Sequence, residues 1–305
     1  MVSTAEARSA NATLGRRYPY MTAVFAGATN GIGLGTLRAF VKHIPEPHVT
    51  IIGRSRSKFV SEVEALRASN PRAHITFIEG QVALIRGVDA VCEQIKQQVG
   101  NIDLLFMSQG YLSFQKTDIN EEGLDNRFSV GVYGRIRLAQ QLLPIMSENA
   151  RVMSVLMGGK EGPLLEHNLD LLKDFSVVKS IGHFASMMTL SLDGLSQQYP
   201  GKVFMHMHPG SVDTGMFARS NKGVTGAAFR YIIDPLFALI AMTVDECGER
   251  MLYFGFDGER KPGSYSLDKD GKVVEVEALA DARRNGWPAK VLGHDLEVFQ
   301  RVVSK

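Results

Sequence analysis

Six short apolar runs, each parted from the next by an amphipathic stretch, constrain this chain more than any other feature. "MTAVFAG", "VTIIG", "HITFIEG", "IDLLFMSQG", "RVMSVLMGG" and "KVFMHMHPG" read as strands rich in β-branched and aromatic residues. Between the first two, "IGLGTLRAFVKHI" places Ile32, Leu37, Phe40, Val41 and Ile44 roughly on one helical face. "SKFVSEVEALRAS" and "VDAVCEQIKQQV" repeat helical spacing, and a long helix follows the fourth strand and ends near Pro144. Strand and helix in alternation with short connections demand right-handed crossovers and a parallel sheet. Near-continuous apolar strands require cover on both faces. The expected fold is α/β, a doubly wound, Rossmann-like parallel sheet in a single domain with helices on both faces.

The boundaries follow from the same pattern. Residues 1–19 lack an apolar h-region and read as a loose N-terminal leader rather than a secretory signal, with a transit peptide left open. Residues 20–305 read as one domain. After Gly210 the pattern becomes irregular: "GSYSLDKDGKVVEVE" suggests two strands around a turn, and "GHDLEVFQRVVSK" a closing helix. At 45% hydrophobic and 22% charged residues with a net charge of +2, the chain has an ordinary globular balance and gives no reason to invoke nucleic acid. The longest apolar patch, "YIIDPLFALIAM", is too short for a membrane span and holds Asp234 and Pro235. Cys92 and Cys247 have no metal-ligand spacing, so no metal is expected, and two distant thiols favour a reducing, cytoplasmic setting.

"FAGATNGIGLG" joins the first strand to the first helix. Gly27, Gly31 and Gly33 let the backbone turn tightly and approach a pyrophosphate, and Thr29, Asn30 and Ile32 complete a loop at a helix N-terminus. The alternative is a tight βα turn with no ligand. At the end of the second strand, where an NAD site wants a carboxylate, the chain has Arg54, Ser55, Arg56 and Lys58. A guanidinium beside a hydroxyl suits a 2′-phosphate, which favours NADP(H). Solvated charges at a helix start are the competing reading, more so for Arg56 and Lys58.

With these segments, the chain resembles the short-chain dehydrogenase/reductase family from about Tyr20 to about Gly255. The glycine loop matches the family's TGxxxGIG with Ala26 for its Thr. "SQG" at 108–110 stands for its Asn-Ala-Gly. Pro209, Gly210, Val212 and Thr214 match the PGxVxT segment that wraps the nicotinamide end. Gly134 with "LAQQLLP" matches the long helix at the family's dimer face, so homo-oligomerisation is carried as an expectation of the resemblance. The "FMSQG" and "GGKEGP" segments are similar to reductase-like proteins of fungal secondary metabolism. The resemblance also places a substrate lid around 211–243, whose apolar "AAFRYIIDPLFALIAM" suits either an apolar small-molecule substrate or ordinary core.

The resemblance implies a Tyr proton donor, a Lys four residues on, a polarising Ser and an Asn that holds a relay water. Here the Asn position falls on Gly131, the Ser position at or beside Met157 and the Tyr position on Phe175; Lys179 alone matches. Ser154, Ser176 or Ser180 stand in reach of the Ser role, but 170–190 contains no Tyr and Tyr199 lies too far along. A positioned acid is worth about 10²–10⁴ in rate. Lys179 retains a role towards ribose hydroxyls. As replacement donors the sequence offers Tyr111 after the "SQG" turn and His183 one turn after Lys179, with Glu161, His167, Tyr133 and Arg135 nearby; for each, simple packing competes. Three readings stand open: an NADPH-dependent reductase of an apolar biosynthetic intermediate, a non-redox cyclase or isomerase, and a non-catalytic nucleotide-binding protein.

Overall fold

A computed structural model describes residues 2–111, 113, 115, 118–173, 177–215, 241–258 and 260–304, the side chains of 177–179 excepted. Seven strands form one parallel sheet: β1 (Tyr20–Ala26), β2 (Glu46–Gly53), β3 (His74–Glu79), β4 (Ile102–Met107), β5 (Met146–Val155), β6 (Val203–Met207) and β7 (Gly263–Leu267). Their order is β3-β2-β1-β4-β5-β6-β7, so the chain reverses direction across the sheet between β1 and β4. Six strands are those expected, and β7 extends the edge beside β6.

Helices cover both faces, as the unbroken burial of the central strands requires. One face carries α1 (Thr4–Asn11), α2 (Leu14–Arg17), α3 (Gly31–His43), α4 (Val60–Ser69) and, late in the chain, α9 (Val244–Phe256). The other carries α5 (Ile85–Gln98), α6 (Asn126–Phe128), α7 (Gly134–Leu142), α8 (Val177–Gln198), α10 (Glu277–Arg284) and α11 (Trp287–Val303). The helices α3 and α9 cross so closely that a Cβ at Gly248 would lie 2.1 Å from the Gly35 carbonyl carbon. Glycine at this crossing is therefore a packing requirement.

Three expectations are corrected. The N-terminal leader is not loose: Ser3 and Glu6 form a capping box that starts α1. Ala7 is fully buried, and Asn11 donates to the Glu249 carbonyl at 2.9 Å and to its carboxylate at 2.8 Å. The S-x-x-E signal lay within the leader, but its apolar face is only small residues. The helix before Pro144 is not continuous, since Ser129–Tyr133 is π-helical and Leu143–Ile145 is a 3₁₀ turn that contains Pro144. The second strand after the Lys-Asp-Gly-Lys turn reduces to one bridge, Leu267 to Val273. Most of the proposed lid, 216–240, lies outside the described residues.

The helix α11 lies over the α5, α7 and α8 side. Phe299 meets Tyr133 edge-on, Arg137 of α7 sits over the Phe299 ring, and Ser191 of α8 donates to buried Asp295 at 2.6 Å. Among the described residues no helix is long and apolar enough to cross a membrane, and no group of three or more metal-ligating side chains occurs.

The buried Asn11 bridge fixes α1 to α9. Replacing Asn11 with Ala leaves the Glu249 carbonyl without that donor and is expected to lower stability by about 1–2 kcal/mol, read as a shift in denaturant midpoint with unchanged slope. An unchanged midpoint would show that α1 adds nothing to the fold.

Candidate active site

The reversal between β1 and β4 opens a crevice at their carboxyl ends, the place where open α/β sheets bind ligands. Gly27 leaves β1 with φ of +79°, and a Cβ there would lie 2.2 Å from the Gln109 amide nitrogen. The glycine loop is thus pressed directly onto the turn that follows β4. Ser108 ties the two together by donating its hydroxyl to the Gly27 carbonyl at 3.1 Å.

Asn30 then caps α3 by accepting from the Gly31 amide at 2.6 Å. The cap leaves the Ile32 and Gly33 amides, first-turn donors with no intrahelical acceptor, facing the positive end of α3. Thr29 packs beside Gly53, whose Cβ would lie 2.6 Å from the Thr29 methyl, so the end of β2 adjoins the glycine loop. Arg54 follows β2 and is exposed. Arg56 differs: its guanidinium donates to the Phe77 carbonyl at 2.6 Å, and its amide to Glu79. Ser55 is half-buried and bonds Ser57.

The segment after β6 completes the crevice. Gly210 donates to His208 Nδ1, and Val212 pairs with Met242 just ahead of α9. Thr214 arrives against the glycine loop, its methyl 3.2 Å from where a Gly31 Cβ would stand. Pro209 lies beneath it, its carbonyl 4.0 Å from the buried Cys247 thiol. The glycine loop, the end of β2 and Thr214 thus adjoin one another, with Arg54 next in sequence after β2. A free helix start and closely approached backbone fit a dinucleotide.

The chemical half is arranged differently. Gly131 sits in the π-helical turn, and a Cβ there would lie 2.5 Å from the Phe184 ring; the space of the family's Asn is filled by an aromatic side chain. Ser154 is fully buried and accepts from Arg135 at 2.7 Å, while the Met157 amide donates to His206 Nε2 at 3.0 Å. Phe175 and Ser176 lie outside the described residues, and Lys179 is described only as backbone within α8.

The two replacement donors are held elsewhere. His183 is fully buried: its Nδ1 accepts from the Leu165 amide at 3.1 Å and its Nε2 meets the Leu169 carbonyl at 3.0 Å. Both ring nitrogens are engaged with one loop, and burial pushes the ring pKa down, so His183 is a neutral pin for residues 165–169. Tyr111 is 47% exposed and donates to Asp118 at 2.8 Å, a bond that raises its phenol pKa. His167 is exposed, and Tyr133 is buried against His294.

Sequence reasoning missed a buried network under the loop that follows β5. Because Met157 donates to Nε2, the neutral His206 ring carries its proton on Nδ1, 2.6 Å from the Thr189 hydroxyl. Thr189 and Ser266 each donate to Glu161 Oε1 at 2.6 Å. Ser266 also accepts from the Gly159 amide. Burial raises the Glu161 carboxyl, but the nearby His206 ring, 3.5 Å away, and the hydrogen bonds from Ser266 and Thr189 outweigh it and lower the group to about 2. Glu161, singled out as a candidate acid, is thus an ionised anchor for residues 157–162. No spacing in the sequence brings β6, β7, α8 and this loop together.

Two predictions follow from this half. A carboxyl held below its ordinary 4.5 stabilises the fold above that pH and loses its contribution as pH falls through about 2. Glu161→Gln should be less stable at neutral pH and lose less stability than the native chain across that acid window; parallel curves would contradict the assignment. Gly131→Asn should destabilise by about 1–3 kcal/mol because the Phe184 ring must move, and Phe184→Ala in the same chain should recover part of the loss.

Comparison with known proteins agrees with the geometry. A short chain dehydrogenase family model matches residues 21–162. Oxidoreductase AN1596 of Emericella nidulans is 32% identical over 100% of both chains. Oxidoreductase lepF of Aspergillus flavus is 30% identical over 100% of this chain and 99% of its own. Among solved structures, a short chain dehydrogenase of Burkholderia cenocepacia in complex with NADP superposes with a TM-score of 0.58 at 17% identity, over 83% of this chain and 98% of that one.

Proposed function

The chain belongs to the short-chain dehydrogenase family, and we propose that it is an NADPH-dependent reductase of an apolar small molecule, an intermediate of secondary metabolism. The observation that carries this reading is the meeting of Thr214 with the glycine loop at Gly31, which closes a dinucleotide cradle in a chain whose Tyr position is Phe175. The fungal oxidoreductases of similar sequence support it.

When bound, the reduced nicotinamide supplies a hydride. The residues of this chain do the rest. The Ile32 and Gly33 amides and the start of α3 receive the pyrophosphate. Arg54 meets the 2′-phosphate by charge-assisted hydrogen bonds, with Ser55 beside it. Lys179 holds ribose hydroxyls from α8. Pro209, Gly210 and Val212 flank the nicotinamide end.

Phe175 has no proton to give, so the substrate must accept hydride without a positioned phenol. An iminium carbon, or a carbonyl conjugated strongly enough to delocalise the incoming charge, meets that condition. An isolated ketone forgoes the acid's share, about 10²–10⁴ in rate. Turnover is accordingly expected with the first kind of substrate and not the second.

Arg54→Ala should weaken NADPH binding by about 10–100-fold and leave NADH binding unchanged, since only NADPH carries the second phosphate. Lys179→Ala should weaken both. Equal loss of NADPH and NADH on Arg54→Ala would contradict the 2′-phosphate role. Product formation from an added intermediate at the same rate without NADPH would replace this reading with a non-redox cyclase or isomerase.

A further inference from the structure

Arg135, in the first turn of α7, is fully buried with only neutral partners. Its Nη1 donates to the Met107 carbonyl at 3.3 Å, the Ser154 hydroxyl at 2.7 Å and the Val155 carbonyl at 2.9 Å. Its Nη2 donates to the Gln109 carbonyl, and its Nε has no partner. Among the described residues no carboxylate pairs with it: every ion pair involves another cation. Burial pulls the guanidinium down to about 9, which leaves it charged at neutral pH.

An uncompensated buried charge is expensive, and folds normally pair or discard it. This one is placed where it acts on a ligand. The carbonyls that it holds end β4 and begin the turn after it, and the backbone of Gln109 presses on Gly27. The charge therefore stands one residue behind the nucleotide crevice. Beside it, the Gln109 side chain is 7% exposed, and neither its amide nitrogen nor its oxygen has a hydrogen-bond partner. Both polar groups of this buried carboxamide are thus free to meet a polar ligand group or water.

We propose that Arg135 is a specificity-determining residue for the redox state of the cofactor: its buried positive charge makes the crevice prefer the neutral reduced nicotinamide to the cationic oxidised ring. This rests on the dinucleotide reading above and deepens it. The preference loads the protein with NADPH and expels spent NADP⁺, and by the same factor it makes the bound reduced ring a weaker hydride donor. The same field lowers the energy of negative charge on a carbonyl oxygen as hydride arrives and disfavours a cationic iminium, so of the two substrate kinds named above it selects the conjugated carbonyl. A unit charge about 10 Å from another, at an effective dielectric of about 20, shifts an equilibrium by roughly tenfold or more.

The test is calorimetric titration of the full chain with NADPH and with NADP⁺. The native protein should bind NADPH at least about tenfold more tightly. Arg135→Met should narrow the ratio by about that factor, chiefly through tighter NADP⁺ binding, and Arg135→Lys should preserve it. Should the Met variant not fold, Ser154→Asp places a carboxylate against Nη1 and should narrow the ratio likewise. Equal affinities in the native chain, or an unchanged ratio in a folded Arg135→Met or Ser154→Asp variant, overturn the proposal. Failure of both nucleotides to bind would instead remove the dinucleotide reading on which it rests.

Discussion

The contact between the glycine loop and the turn after β4 governs the rest of this structure. A side chain at Gly27 would run into the Gln109 backbone, so the loop can close over β4 only as glycine. That closure brings α3 in with its first amides open and leaves room for Thr214 to arrive from beyond β6. It also seats Gln109 above Arg135, which gathers the carboxyl ends of β4 and β5 with four hydrogen bonds. The nucleotide crevice and the buried charge behind it share this single seam.

Around the seam, the described side chains fix geometry. Phe184 fills the space beside Gly131, and His183 pins a loop with both ring nitrogens. Glu161 spends its carboxylate on Thr189 and Ser266, and Arg135 occupies the Ser154 hydroxyl. Each group is neutralised as an acid or base by its partners. What remains is the buried Arg135 charge behind the glycine loop, which suits a substrate oxygen that gains negative charge.

The parallel, doubly wound sheet was legible because local periodicity encodes its alternating strands and helices. The six apolar runs appear as β1–β6, and Thr214 comes against Gly31 of the glycine loop. Illegible were features that depend on distant parts of the chain meeting. The helix α1 owes its docking to Asn11 reaching Glu249, 238 positions away. The Glu161 network joins positions 159 to 266, and Arg135 looked like one more charge beside Gly134 until the ends of β4 and β5 enclosed it. His183 illustrates the opposite failure: helical spacing put it one turn from Lys179, but its ring is consumed by backbone groups that spacing does not reveal.

The most direct measurement is a crystal structure of the full chain grown with NADPH. The account predicts pyrophosphate at the Ile32 and Gly33 amides, the 2′-phosphate at Arg54, and no phenolic hydroxyl within hydrogen-bonding reach of an oxygen placed beside nicotinamide C4. A glycine loop without nucleotide at saturating concentration, or a tyrosine from elsewhere in the chain delivered to that oxygen, would contradict it.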